Sequence, residues 1–182
     1  PMSFTIPLEK LEASVEKPEI VILLRQHIAD LHLSIEDENI EKPWGAYFRF
    51  SDDSIEAFAK EFYPEREIKL TEASISPKIL LVAPGAELSW QYHHRRSEIW
   101  KVYCNPVGVM LNDSDDLSTV QTYNPGQTIT IGQGERHRII GLDKWTIIAE
   151  IWQHEDPTNP SNEEDIVRLE DKYGREGTNE NK

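Results

Sequence analysis

Thiols are almost missing from this sequence. Its one cysteine, Cys104, has no partner for an intrachain disulfide and rules out a metal site built on several thiolates, so any metal must be held by nitrogen and oxygen. Long apolar runs are missing as well. Nothing approaches the roughly 18 residues a membrane-spanning helix needs, and no basic segment followed by an apolar stretch opens the chain, so a cytoplasmic protein is expected. Positive charge is scarce: 19 Lys and Arg stand against 33 Asp and Glu, a formal net charge of −14. That balance argues against nucleic acid or an anionic membrane as partner. What remains is 182 residues, room for one domain with a sizeable core plus extensions.

The acidity is unevenly placed. Between Ile75 and Trp145 seven bases meet seven acids, so the flanks carry the whole excess. This neutral region holds the most informative stretch, P-G-A-E-L-S-W-Q-Y-H-H-R-R-S-E-I-W from Pro84 to Trp100. Strand side chains alternate, which sets Gln91 and His93 on one face and Trp90 and Tyr92 on the other. Glu98 follows after a short basic link, where a turn can return a carboxylate to the same point. Gln91, His93 and Glu98 read as part of a metal site that lacks a second imidazole. His137 and His154 are the downstream candidates. His137 has the better context, because the turn Gly132-Gln133-Gly134 ends a strand pattern just before it. His27 and His32 sit in a helical pattern and read as packing or surface residues.

Residues 1–41 read as a helical N-terminal extension: a stretch from Pro7 to about Val15, an interruption at Pro18, then Glu19 to Ile35 with apolar positions at helical spacing. Glu36-Asp37-Glu38 reads as a linker. Lys42-Pro43-Trp44-Gly45 marks a turn into a strand over Ala46–Phe50, and Asp53 to Phe62 suggests a short helix. Strands are expected at 67–74, 78–83, 88–93, 99–103, 107–111, 120–123, 128–131, 138–140 and 146–153, separated by Gly, Pro and Asn turns. Many short strands at close spacing predict an all-β sandwich or small barrel. An acidic helix over Asn162–Tyr173 and a flexible tail at 176–182 complete the reading.

The pattern Gly85-x5-Gln91-x-His93-x4-Glu98 resembles the first motif of the cupin superfamily, with Gln in place of its first His, and Gly126-x5-Gly132-x-Gly134-x2-His137 resembles the second. Within cupins the chain is similar to the cupin domain of type II phosphomannose isomerases, which also ends bifunctional mannose-6-phosphate isomerase/mannose-1-phosphate guanylyltransferases. K-P-W-G at 42–45, L-S-W-Q-Y-H-H-R-R-S-E-I-W at 88–100 and E-E-D-I-V-R-L-E-D-K-Y-G-R at 163–175 carry that likeness, in the family's order. It covers about 42–175, apart from an insertion near 51–75. Arg95 stands where the family has a third His, and Gly132 and Gly141 where it has Pro and Asn. No stretch matches the nucleotidyltransferase part, so a stand-alone isomerase without guanylyl transfer is expected.

The resemblance implies a double-stranded β-helix, or jelly-roll, barrel over 42–175, one divalent metal on Gln91, His93, Glu98 and His137, and zinc as that metal. Manganese, iron, cobalt or nickel would also suit mixed imidazole and oxygen ligands. It further implies a sugar phosphate as the small-molecule partner and isomerisation of the mannose 6-phosphate/fructose 6-phosphate type; a homodimer is expected by analogy. Arg96 matches the family's H-R-x-E arginine and can hold a phosphate or orient Glu98. Lys78 matches a family position and can meet the substrate or simply begin a strand. Glu150, on one face with Ile148 and Trp152, can carry a proton or pair with a core arginine. Arg168 and Arg175 are further candidates for phosphate. The competing reading is a non-catalytic cupin that binds or senses a sugar, or another cupin isomerase or epimerase acting on a heptose or lyxose.

Overall fold

The computed structural model describes residues 11–65 and 75–175. Helix α1 (Lys17–Asp30) precedes strands β1 (Ile35–Asn39) and β2 (Gly45–Phe50), and a 3-10 turn at Asp52–Ser54 leads into α2 (Ile55–Phe62). Strands follow: β3 (Ile75–Val82), β4 (Trp90–Tyr92), β5 (Arg96–Cys104), β6 (Val107–Asn112), β7 (Val120–Tyr123), β8 (Thr128–Ile131), β9 (Arg136–Ile140), β10 (Thr146–His154) and β11 (Val167–Glu170). They form two antiparallel sheets, ordered β1-β2-β3-β10-β5-β8 and β11-β4-β9-β6-β7. This is the cupin-type jelly roll anticipated from the motifs.

The two sheets close on an apolar interior that includes Leu80, Val82, Trp100, Val102, Val109, Ile139 and Ile148. A second core lies on the opposite face of the six-stranded sheet, where Phe48, Leu81, Ile147, Ala149 and Ile151 meet Leu24 and Ile28 of α1 and Phe58 and Phe62 of α2. A sheet covered on both faces needs apolar residues on both, which is why β10 reads as a nearly unbroken hydrophobic run rather than an alternating one. Odd positions of β10 face the helices; the even positions Ile148, Glu150 and Trp152 face the barrel.

Several expectations change. The helix foreseen to Ile35 stops at Asp30, where the Leu33 amide donates to the Ile28 carbonyl at 3.2 Å and His32 to Ala29 at 3.0 Å. His32 adopts φ 60°, so it closes the helix as glycine usually does, and no glycine announced it. Ile35–Asn39 is therefore neither helix nor linker but an edge strand with alternating burial, paired with β2. The C-terminal helix over Asn162–Tyr173 is also absent: Val167–Glu170 is β11, in register with β4 through Val167–Tyr92 and Arg168–Gln91. Backbone pairing with the open edge of β4 outweighed a weak helical pattern. Pro18 does not break a helix; it occupies the first turn of α1, where its missing N–H costs nothing. The helix expected from Pro7 to Val15 is not formed over residues 11–15, which are a 3-10 residue, turns and bends; the strand expected at 67–74 and the tail at 176–182 lie outside the described residues. Among the described residues no helix is long and apolar enough to cross a membrane.

The Lys42–Gly45 turn is built for close approach. Gly45 has φ 148°, and a Cβ there would lie 1.8 Å from the Leu81 carbonyl oxygen. The Lys17 ammonium closes this turn from outside, donating to the carbonyls of Ile40 (2.9 Å), Lys42 (3.0 Å) and Gly45 (2.8 Å). Three converging carbonyl dipoles suit one cation.

Candidate metal centre

Gln91 of β4 and His137 of β9 are directly paired, so their side chains share the inner face of the five-stranded sheet, and His93 lies two residues on. Glu98 comes from β5 on the facing sheet. The His93 and His137 Nε2 atoms are 3.1 Å apart, and His93 Nε2 is 3.1 Å from Glu98 Oε2. One ligand atom from each of the three residues lies within 4.8 Å of the others, and all three side chains are buried. Gln91 lines the same cleft, and its Nε2 donates to the Ser89 carbonyl at 3.3 Å.

The outer nitrogens fix what the inner ones can do. His93 Nδ1 lies 2.7 Å from the Asp165 carbonyl oxygen and His137 Nδ1 2.9 Å from that of Glu135. A carbonyl can only accept, so each Nδ1 carries a hydrogen and each Nε2 is turned to the centre. Burial pushes the His137 pKa down to about 4, against the pull of Glu98, so the ring is neutral near pH 7. Burial alone would raise the Glu98 carboxyl, but the Arg96 guanidinium and then the imidazoles hold it well below the usual carboxylate range. Two imidazole nitrogens and a carboxylate thus meet at one point. An ion bonded to both at about 2.1 Å would subtend an angle of about 95°, between octahedral and tetrahedral values. The donor set fits a divalent cation.

Glu98 is held by two further donors: Trp100 Nε1 on one oxygen (2.8 Å) and Arg96 Nε on the other (2.8 Å). Arg96 also donates to Ser161 Oγ (2.8 Å) and the Asn162 carbonyl (3.0 Å), approaches His93 Nε2 at 3.2 Å, and stacks on the Trp152 ring at 3.6 Å. Its fork is engaged by the protein, and it acts on Glu98 directly. Glu150 accepts from Trp152 Nε1 and is only 4% exposed. In register, Glu98 faces Trp152 and Trp100 faces Glu150, so two carboxylates and two indoles form a square across β5 and β10. Burial and then the charge of Glu98 raise the Glu150 pKa to about 8, while Lys78, Arg96 and Trp152 pull it down. Lys78, opposite Glu150 in register, packs its ammonium over the rings of Tyr47 (4.1 Å) and Trp152 (4.8 Å) and pairs with Glu163 at 2.8 Å.

These groups line an open cleft of about 620 Å³, solvent at its mouth included. Five cations line it, Lys42, Lys78, Arg96, Arg168 and Arg175, against the carboxylates Glu98, Glu150 and Glu163. The region that is neutral by sequence is cationic in space, because Lys42 arrives from the K-P-W-G turn and Arg168 and Arg175 from the C-terminal segment. Burial and then Arg175 lower the pKa of both Lys42 and Arg168. Sequence reasoning missed Lys42, Glu163 and Asp165 as parts of the site. Asp165 fixes the approach to His93 and Glu98: its carboxylate accepts from the His94 (2.9 Å) and Arg95 (3.0 Å) amides and from Ser161 Oγ (2.6 Å). Only the family-like blocks at 42–45 and 163–175 hinted at these residues. His154 lies apart from the cluster, bonded to Ser76 Oγ and the Ser161 amide.

No protein-family model matches the chain. It is 32% identical over 137 residues to the xanthan biosynthesis protein XanB of Xanthomonas campestris pv. campestris, a match covering 75% of the chain and 23% of that protein. It is 30% identical over 141 residues to the mannose-1-phosphate guanylyltransferase ManC of Salmonella typhimurium, again over 75% and 23%. The chain thus spans under a quarter of the length of these relatives. Among solved structures, an oxalate decarboxylase formate complex from Lactobacillus farciminis superposes with a TM-score of 0.51 at 16% identity, covering 73% of this chain and 33% of that one. That likeness concerns the barrel fold.

Proposed function

We propose that this chain is a metal-dependent sugar-phosphate isomerase that interconverts an aldose phosphate and a ketose phosphate of the mannose 6-phosphate/fructose 6-phosphate type. One observation carries the reading: two imidazole nitrogens and a carboxylate converge in a cation-lined cleft of an otherwise acidic protein. Similarity to a mannose-1-phosphate guanylyltransferase supports sugar-phosphate chemistry. Gln91, His93, Glu98 and His137 would hold the cation, with zinc proposed. When bound it would supply Lewis acidity against the negative charge that develops on the sugar's carbonyl and hydroxyl oxygens.

The chain's own groups do the rest. Lys42, Lys78, Arg168 and Arg175 bind the phosphate and set the register of the sugar. Arg96 orients Glu98. Isomerisation moves one proton from C2 to C1 and one from O2 to O1. Glu150 is the proton carrier: it lines the cleft behind Lys78, and a carboxyl raised toward neutrality can both take and return a proton.

The test is exchange of solvent deuterium into C2 of mannose 6-phosphate, lost on chelation and restored by a single metal, with the ketose product identified to cover hydrogen transfer without solvent exchange. Metal-loaded protein that binds the sugar phosphate but converts none of it would be a sugar-binding barrel instead.

A further inference from the structure

The phosphate end of the cleft already holds an anion. Glu163 Oε1 lies 2.8 Å from Lys78 Nζ, whose side chain is 8% exposed and roofed by Tyr47 and Trp152. Lys42, Arg168 and Arg175 line the same cleft, and Arg175 is partly answered by Asp171 at 2.7 Å. The charge of Glu163 counters the depression of the Lys42 and Arg168 pKa values, so its carboxylate acts on three of the cations at once.

The backbone on either side is pinned. Arg96 holds the Asn162 carbonyl at 3.0 Å, and Asp165 is tied to the amides of His94 and Arg95. The Glu163 side chain itself is 40% exposed, and it also borders an outer cleft whose wall includes Arg49. It can swing outward without moving the chain around it.

We infer that Glu163 is a built-in stand-in for the ligand's phosphate: its carboxylate neutralises the cationic subsite when empty and is displaced into the outer cleft by an incoming phosphate. This rests on the sugar-phosphate reading of the cleft and deepens it. The subsite then rejects neutral sugars and weak anions, because each must compete with an internal carboxylate at high effective concentration.

Isothermal titration of inorganic phosphate into metal-free protein tests it, since chelation keeps phosphate off the metal ligands. Glu163→Gln, close in shape and at a half-exposed position, should bind phosphate about two- to fivefold more tightly than the parent, the worth of one partly exposed ion pair. Glu163→Ala should move in the same direction, and adding Lys78→Met to Glu163→Gln should remove the gain. Equal or weaker binding by Glu163→Gln, or a gain that survives loss of Lys78, overturns the proposal. Neither result depends on turnover. Tighter phosphate binding in a protein that converts no sugar would keep the stand-in and sink the isomerase, and conversion without any gain in phosphate binding would do the reverse.

Discussion

The two sheets differ in how they are covered, and the difference sorts the chemistry. The six-stranded sheet has packed apolar cores on both faces, while the outer face of the five-stranded sheet carries polar contacts such as Arg136 stacked on Tyr92 at 3.8 Å and Arg138 paired with Glu170 at 2.9 Å. The charged Glu98, Lys78 and Arg96, and Glu150 with its raised pKa, all stand on strands of the doubly covered sheet. The uncharged donors Gln91 and His137 stand on the other, with His93 just past its β4. Buried charges need neighbours that cannot relax away from them, and a strand locked by cores on both sides provides such neighbours. Neutral ligands make no such demand. The candidate metal site lies between the doubly covered wall, which supplies Glu98, and the lighter one, which supplies His137.

The largest test of that division removes a neutral ligand. His137→Ala should strip the metal and lower isomerisation by more than about a hundredfold, beyond what loss of an outer hydrogen-bond partner causes, as read by elemental analysis together with turnover. Next, the sheets should differ in tolerance. Ile151→Ala in β10, 1% exposed, should cost about 2–5 kcal/mol in a denaturant titration. Val120→Ala in β7, 47% exposed, should change stability by less than about 0.5 kcal/mol. Equal costs would erase the contrast.

The subtlest test concerns pH. In chelated protein Glu150 keeps its proton up to about pH 8, whereas an unfolded glutamate releases it near about 4.3. The folded state therefore binds the extra proton across that window. The stability linked to it is full below about pH 4 and is lost as pH rises through about 8. Glu150→Gln should flatten this decline, visible as a smaller drop in melting temperature between pH 5 and pH 8. A drop of the same size in the variant would mean that Glu150 is ionised like any surface acid.

Much of this was legible in the residues. The alternation in 88–93 set Gln91 and His93 on one face, and the turn at 132–134 favoured His137 over His154; both readings match the geometry. Glu150 stood out because an acid in an apolar strand has to face something. What stayed hidden depended on partners distant in sequence. A histidine that closes α1 in a left-handed conformation gives no glycine signal. Val167–Glu170 becomes strand only because β4 offers an edge. Lys42 and Glu163 look like ordinary surface charges until folding brings them to one cleft.

Lys17 ties the N-terminal helix to the turn that presents Lys42 and Trp44, although nothing of that helix lines the cleft. Anyone trimming the protein to its barrel by starting it at residue 42 would thus discard the clasp that shapes the cleft's rim. The trimmed domain could fold soundly and still greet its ligand with a slack edge.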